Sequence, residues 1–407
     1  MTREVWLTGY GLLSALGETA EAWWAALAGA EGRGGAADSE TYAPFHVYPV
    51  ADYDLALQVP KRGDRRAMGE MMRYGAHACG LALDAAGIAG NENLLARMVL
   101  LAAAGGGERD FEVDAQALAL LDSAAENDEP RAAALNRLLS DELRPTLFLA
   151  QLPNLFAGNI SIIHGVSGAT RTFMGEESAG IDAFRIAYER AAAGQGDLFL
   201  VGAAFNACRP DLHAMYDAAG LLMTTPLTGL WQRPEAGICL GSAGAFFVIE
   251  SAAHARARGA RPLARVAGVL SGRSDRAPGA AAAMADTQLA QFRDRLRPGR
   301  LAVMSGACGA GPLTREEHDF LAALADSGLD CAVRGTGMAL GHTVEAAFLA
   351  NVILGVSCLE RGAVFPPLAP DDPLEARVAE MAVAQVMVTG WGHVRGEGMA
   401  LLEAVDG

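Results

Sequence analysis

Lysine is almost absent from this chain: Lys61 is the single lysine among 407 residues, and arginine supplies the remaining basic charge. With 32 basic and 48 acidic side chains the formal net charge is −16, which disfavours nucleic-acid binding because phosphates repel an acidic surface. No apolar run is long enough to span a bilayer, and no secretory signal pattern opens the chain. These absences predict a cytoplasmic protein with neither a nucleic-acid nor a membrane partner.

Cysteine pairing is also missing, since the six cysteines are scattered and have no C-x-x-C spacing. This pattern favours reduced thiols. We expect no metal site and no bound cofactor. Hydrophobic residues make up 51% of the chain and 48 residues are glycine, so a large core can form.

Buried strands alternate with helices along the sequence in two series that are joined near residue 255. The first series includes an apolar strand at residues 5–11 and a helix predicted over residues 65–86, where Gly87 supplies a stop. The alternation predicts an α/β fold with a mostly parallel sheet. It also predicts two halves of similar plan, residues 1–250 and residues 251–407.

Four motifs occur in the same order as in a known family, at residues 6–17, 152–165, 173–183 and 241–250. Together they resemble the β-ketoacyl synthases over nearly the whole chain. For example, residues 152–165 are similar to the family segment L-P-N-x-x-A-G-x-I-x-I-x-x-G. The resemblance implies a thiolase-like fold, in which two similar βαβαβαββ halves are stacked as five layers, α-β-α-β-α, and which works as a dimer.

Position 177 is where the resemblance places a catalytic cysteine, within a stretch that reads roughly T-A-C-x-S-G-x-x-A. The residue here is Glu177, and its carboxylate cannot carry an acyl group as a thioester. Ser178, Gly180 and Ala183 keep small or polar residues in register. The alternative is an ordinary exposed carboxylate, because Glu is common in the first turn of a helix.

Two histidines and a lysine accompany the cysteine in this family, and one of the three is retained. The first histidine falls on Ala307 or Gly306, and neither can donate a side-chain hydrogen bond to a thioester oxygen. His342 matches the second histidine in K-S-x-x-G-H, while Gly337 stands in place of the lysine. Cys308 is either a surrogate nucleophile or a small buried residue in a glycine-rich turn.

The glycine-rich turn at residues 390–396 stands where the family has G-F-G-G-x-N, whose aromatic residue acts as a gate beside the cysteine. Trp391 is the predicted gate, and the bulkier His393 suggests a plugged pocket, although a plainly packed Trp fits equally well. Glu177, Ala307 and His342 therefore mark a degenerate site at which we expect no catalysis.

A degenerate ketosynthase of this length resembles a chain-length factor, the partner of an active ketosynthase in bacterial type II polyketide synthases. Residues 180–183, Gly-Ile-Asp-Ala, are similar to the G-L-D-A of this subgroup, which usually carries Gln at position 177. The resemblance implies a heterodimer with a ketosynthase, an acyl-carrier protein bearing the growing chain, and an interface tunnel whose end sets product length. It favours polyene-forming over aromatic systems.

Three other functions stay open. A decarboxylative priming enzyme acting on malonyl-acyl-carrier protein would still need histidine donors. A divergent enzyme would use Glu177 or Cys308, and a second histidine-like donor in contact with Glu177 would support it. A scaffold protein would have a filled interface and no tunnel.

The segment at residues 107–121 follows a buried strand, at the place where chain-length factors supply tunnel-closing side chains. On a helix, Phe111, Asp114 and Leu118 share one face because they are spaced i, i+3 and i+7. That face is predicted to point into the substrate tunnel. The alternative is that Phe111 and Leu118 belong to the core and Asp114 faces solvent.

Overall fold

The computed structural model describes residues 2–29, 36–122, 130–143, 147, 151–394 and 396–405. Within these ranges the strands are β1 Val5–Leu13, β2 Val47–Tyr48, β3 Val99–Ala103, β4 Thr170–Phe173, β5 Leu198–Phe205, β6 Leu240–Gly241, β7 Ala243–Ser251, β8 Ala264–Gly272, β9 Leu301–Met304, β10 Cys331–Arg334, β11 Gln385–Trp391 and β12 Glu397–Glu403.

The helices in the same ranges are α1 Ala20–Ala28, α2 Arg62–Ala67, α3 Glu70–Ala85, α4 Glu92–Leu95, α5 Phe111–Asp122, α6 Arg131–Asp141, α7 Asn154–His164, α8 Glu177–Ala192, α9 Pro210–Ala218, α10 Ala252–Ala257, α11 Ala280–Ala290, α12 Gly311–Asp326, α13 Gly337–Leu340, α14 Ala347–Arg361 and α15 Pro373–Ala376. Short 3-10 turns occur at Leu55–Leu57, Leu230–Gln232, Arg293–Arg295 and Val344–Ala346. In the described part of the chain, no helix combines the length and apolar character needed to cross a membrane.

Ten strands form one sheet in the order β10-β9-β11-β12-β8-β1-β7-β5-β3-β4. From the centre outward, β1, β7 and β5 are successively antiparallel, and β5, β3 and β4 are parallel. On the other side β8, β12 and β11 are successively antiparallel, and β11, β9 and β10 are parallel. The two sets of five strands thus repeat one order and one pattern of directions.

The sheet is mixed, so the prediction of a mostly parallel sheet was wrong. The antiparallel pairs arise partly from a direct hairpin, since β11 returns as β12 through the turn at residues 392–396 without a crossover helix. The two sets are joined where Val5–Leu7 of β1 pairs with β8. The alternation of strands and helices in the sequence indicates their order and does not reveal hairpin pairing.

Two long helices, α8 and α14, pack against strands of both sets. α8 contacts β3, β5 and β8, and α14 contacts β7, β9 and β11. Successive side chains of a strand point to opposite faces, and β7 shows this directly. Phe247 packs edge-on against Phe184 of α8 at 4.8 Å, whereas Phe246 lies 6.1 Å from Phe156 of α7. The start of α8 is thereby buried between the strand sets.

The predicted helix over residues 65–86 was wrong in its continuity, because the structure divides it into α2 and α3. Gly69 precedes α3, and a Cβ there would lie 1.5 Å from the Glu108 carboxylate. Glu108 Oε1 accepts a hydrogen bond from the backbone N–H of Met71 at 2.8 Å and so satisfies the first turn of α3. A carboxylate distant in sequence therefore sets this helix start.

Candidate active site

The site begins at a tight turn between β4 and α8. Gly175 has φ of 134° and Glu176 has φ of 49°, a region that non-glycine residues rarely adopt. Ser178 Oγ donates to the carbonyl oxygen of Gly175 at 2.7 Å and braces this turn. The result is that Glu177, the first residue of α8, is buried with 5% of its surface exposed. The alternative of an exposed helix-start carboxylate is therefore wrong, because the helix end itself lies in the core.

Three donors converge on one oxygen of Glu177. Its Oε1 lies 3.0 Å from His342 Nε2 and 2.6 Å from His393 Nδ1. The backbone N–H of His393 donates to the same oxygen at 3.0 Å. Oε2 is buried and has no hydrogen-bond partner. One oxygen is thus saturated while the other is left unsatisfied.

Burial and hydrogen bonding act in opposite directions on this carboxyl group. Burial raises the pKa of Glu177, but the hydrogen bonds and charges of His342 and His393 outweigh burial and hold that pKa well below its usual range. The carboxylate is therefore ionised at neutral pH. The α8 N-terminus, where backbone N–H groups point outward, also favours a negative charge.

His342, the histidine that the resemblance matches, contacts Glu177 through Nε2. Its backbone N–H donates to the carbonyl oxygen of Cys239 at 2.7 Å, and its own carbonyl accepts from Gly241 at 3.0 Å. These bonds anchor the residue beside β6. Its ring stands nearly perpendicular to the ring of His393, at 86° and 5.8 Å between centroids.

His393 is the site residue that the sequence analysis missed as a donor. It was interpreted as bulk that plugs a pocket, whereas its ring and its backbone N–H both bind Glu177. The signal available was a histidine in a glycine-rich turn whose family pattern carries glycine. Arg395, two residues further along the sequence, lies outside the described residues.

The other degenerate positions lie close by and offer no donor. A Cβ on Gly306 would be 2.5 Å from the Thr389 carbonyl oxygen, so no side chain fits there. Ala307 is buried with 5% exposed. Cys308 is buried as well, and burial, with a contribution from the Glu177 charge, raises the pKa of its thiol to about 12. Cys308 is therefore a poor source of thiolate.

The buried carboxyl group of Glu317 accepts hydrogen bonds from the segment that contains Gly306 and from β11. Glu317 Oε1 accepts from Ser305 Oγ at 3.0 Å, from Gly306 N–H at 3.1 Å and from Thr389 Oγ1 at 2.5 Å. Burial raises the pKa of Glu317 to about 7. The loop that contains Gly306 and Ala307 is thus fixed by Glu317.

Trp391 is buried with 2% exposed, and its ring packs against Phe320 of α12 at 5.6 Å. The preceding Gly390 faces α8 instead, because a Cβ there would meet Ile181 at 2.7 Å. Neighbouring strand residues face opposite sides, which directs Trp391 toward α12. Its assignment as a gate stays a prediction.

The predicted tunnel residues all lie on one helix, α5, which begins at Phe111. Phe111 is half-buried, and Asp114 accepts two hydrogen bonds from Arg109, at 2.7 and 3.1 Å. Leu118 is 62% exposed, so it is not a core residue of this chain. The role of this face in a tunnel stays a prediction.

A cavity of 310 Å³ lies next to the Glu177 cluster. Its lining includes Gly105, Glu176, Arg209, Tyr216 and Glu345. The Tyr216 ring, which lines the cavity, lies 5.4 Å from the ring of His393. Burial, with smaller contributions from the charges of Glu177 and Glu176, raises the pKa of Glu345 to about 7.

The fold defines a class of protein. The sequence profile described as β-ketoacyl synthase, N-terminal domain, matches residues 2–255, well over half of the chain. The chain therefore belongs to the β-ketoacyl synthase family, and its thiolase-like α/β fold with a mixed central sheet is that of the family.

Individual relatives extend over the full length. The chain is 27% identical over 427 aligned residues to 3-oxoacyl-[acyl-carrier-protein] synthase 2 of Vibrio harveyi, which covers 97% of each sequence. A crystal structure of a β-ketoacyl synthase from Burkholderia phymatum STM815 superposes over 100% of both chains with a TM-score of 0.78 and 20% identity. The structure described as the ishigamide ketosynthase/chain length factor superposes over 100% of both chains with a TM-score of 0.77 and 21% identity.

Proposed function

We propose that this chain is a chain-length factor, a non-catalytic subunit that pairs with an active ketosynthase and shapes the acyl-chain tunnel of a type II polyketide synthase. The observation that carries the proposal is the buried, ionised Glu177 at the nucleophile position. A carboxylate held by three donors forms no thioester, and the Cys308 thiol has too high a pKa to replace it. Chain transfer and condensation then belong to the partner subunit.

An exposed sheet edge supports pairing with a second subunit. β4 is the last strand of the sheet, and Thr170 and Arg171 are exposed along it. Beside it, Met174 is 63% exposed and Ile162 of α7 is 78% exposed. β4 pairs with β3 on one side, and no described strand pairs with its other edge. A free strand edge flanked by exposed apolar side chains favours edge-to-edge association. The occupant is the matching strand of the ketosynthase.

Product length is set where the tunnel ends. A growing chain gains roughly 0.8 kcal/mol per buried CH₂ group. Once it meets packed side chains, extension costs about 1–3 kcal/mol because those side chains must move. Phe111, Asp114 and Leu118 supply this end wall, and the exposed Leu118 is free to contact the partner. Trp391 gates the pocket side.

The carrier protein, the pathway and the cellular compartment follow from the same proposal. An acyl-carrier protein bears the growing chain to the complex, and polyene-forming systems are favoured over aromatic ones. The complex works in the cytoplasm, apart from nucleic acid and membranes. Residues 1–250 and 251–407 form two similar halves in five α-β-α-β-α layers. The repeated strand order, and α8 and α14 lying against both strand sets, support this division.

Co-expression with an active ketosynthase of a type II polyketide synthase tests the proposal. We expect a one-to-one complex whose acyl intermediates, detected by mass spectrometry, sit on the partner cysteine and never on this chain. Met174→Glu should break the complex, because it places a charge on the apolar edge. Leu57→Glu is the matched control, since Leu57 is 69% exposed on a different segment. A stable acyl adduct on this polypeptide, or a monomer that ignores the ketosynthase, would reject the proposal.

A second function is favoured by one observation, the two imidazoles that contact Glu177. A decarboxylase acting on malonyl-acyl-carrier protein needs donors that stabilise a developing enolate oxygen, and His342 and His393 are such donors. The same arrangement is what a divergent enzyme using Glu177 requires. Incubating the isolated chain with malonyl-acyl-carrier protein separates the functions. Loss of CO₂ that disappears in His393→Ala but persists in Cys308→Ser would favour the decarboxylase.

A further inference from the structure

Three side chains with metal-binding atoms meet at one point in the core, although they come from distant parts of the sequence. Glu177 begins α8, His342 follows α13, and His393 lies in the turn between β11 and β12. Their carboxylate and ring-nitrogen atoms all lie within 4.8 Å of one another. Each side chain is largely buried, with at most 8% exposed.

The separations suit a metal ion with only small movements. Zinc binds histidine nitrogen and carboxylate oxygen at about 2.0–2.2 Å, so two tetrahedral ligands lie roughly 3.4 Å apart. Here Glu177 Oε1 is 3.0 Å from His342 Nε2 and 2.6 Å from His393 Nδ1. These two separations need to widen by less than about 1 Å to reach that value, and all the ligand atoms already lie within 4.8 Å of one another.

An unsatisfied atom points to a missing ligand. Oε2 of Glu177 is buried and has no hydrogen-bond partner, while Oε1 receives three donors. A buried carboxylate oxygen without a partner is unfavourable, because it loses its hydration and gains no hydrogen bond in return. A cation bound through both carboxylate oxygens would give Oε2 a partner.

The donor set also selects the kind of metal. Two imidazoles and one carboxylate favour a first-row transition ion, whereas Ca²⁺ and Mg²⁺ prefer sites made of oxygen alone. Three protein ligands leave a fourth position open for water or another small ligand. The cavity of 310 Å³ lined by Glu176 and Tyr216 lies next to the cluster, because the Tyr216 ring is 5.4 Å from the His393 ring.

We propose that Glu177, His342 and His393 form a zinc-binding site at the position of the family's catalytic nucleophile. Such a site differs from the expectation of no metal and from the interpretation of His393 as bulk that plugs a pocket. The site goes beyond the proposed function: pairing with a ketosynthase and control of product length require no zinc, and zinc binding requires no partner.

Zinc titration of the full-length, tag-free chain tests the site, in whatever assembly the chain is purified. After treatment with a chelator, we expect one equivalent of Zn²⁺ to bind, measured by calorimetry and by elemental analysis. Co²⁺ in its place should give the strong visible absorption of tetrahedral coordination. Glu177→Gln and His393→Ala should each lower the affinity by at least about 100-fold, because each removes a direct ligand.

His77→Asn is the matched control, because His77 is also a buried imidazole paired with a glutamate, Glu18, but lies outside the cluster of Glu177, His342 and His393. It should leave zinc affinity unchanged. Glu177→Gln preserves the size of the side chain, and a thermal melt checks that the variant is folded. Should chelator-treated wild type bind no more zinc than Glu177→Gln, the cluster is a hydrogen-bonded one and the proposal fails.

Discussion

Glu345→Gln should stabilise the protein at neutral and alkaline pH and have little effect in acid. Glu345 lies in the 3-10 turn Val344–Ala346, with 4% of its surface exposed. A Cβ on Gly105 would lie 2.5 Å from its Oε1, and its Oε2 is buried without a partner. The ionised carboxylate is favoured by the Glu345 backbone N–H and by the charge of Arg209, but burial outweighs both.

The magnitude follows from the pKa of this group. Burial, with the charges of Glu177 and Glu176, raises the pKa of Glu345 from 4.5 to about 7. Between these values the folded chain keeps a proton that the unfolded chain has released, so stability falls as the pH rises. Each pH unit across the interval is worth about 1.4 kcal/mol, which gives a total on the order of 3 kcal/mol.

Chemical denaturation of wild type and Glu345→Gln on both sides of this interval is the assay. The amide never ionises, so the variant should gain up to about 3 kcal/mol over wild type above pH 7 and almost nothing below pH 4.5. Glu317 also titrates with a pKa of about 7, but it is present in both proteins and cancels in the difference. Exposed Glu112→Gln is the control. An equal difference in unfolding free energy at both pH values would refute the reasoning.

Three further predictions concern packing, chemistry and product length. Gly180→Ala should lower the unfolding free energy by about 1–3 kcal/mol, because its Cβ would lie 2.3 Å from the Glu345 carbonyl oxygen. Gly158→Ala, whose Cβ meets its nearest atom at 3.7 Å, should instead gain about 0.5–1 kcal/mol in the same thermal melts. Glu177→Cys should not condense acyl and malonyl units in a carrier-protein assay, and turnover would show that the missing histidine segment was misplaced. Leu118→Ala should lengthen the partner-bound product by one or more two-carbon units in mass spectra, whereas a weakened complex with unchanged product length would assign Leu118 to packing alone.

The family and the fold class could be predicted from the sequence because they depend on local patterns. Strand-to-turn motifs with glycine identified the family, and the alternation of strands and helices identified an α/β fold. The direction of strand pairing was not available in this way, since it depends on which strands become neighbours. The helix break at Gly69 was missed for the same reason, because Glu108 reaches it from a distant segment.

The candidate site was predictable one residue at a time and not as an arrangement. Glu177 and His342 were recognised because each occupies a family motif. His393 also occupies one, but its departure from glycine was interpreted as bulk. That it donates to Glu177 depends on the turn between β11 and β12 reaching the start of α8, which only the folded chain brings about.

The absence of a cysteine does not by itself explain why two histidines surround Glu177. An active site that no longer catalyses a reaction is most simply filled by apolar side chains, because burying a charge raises the free energy of the folded state unless the charge is paired. This chain instead holds an ionised Glu177 between two imidazoles and leaves Oε2 without a partner. A chain-length factor requires only that the thiol be absent, and it gives no reason for His393 to face the carboxylate. A bound cation or an enolate-stabilising role gives one, so zinc titration and malonyl decarboxylation are the measurements that separate an inert site from a converted one.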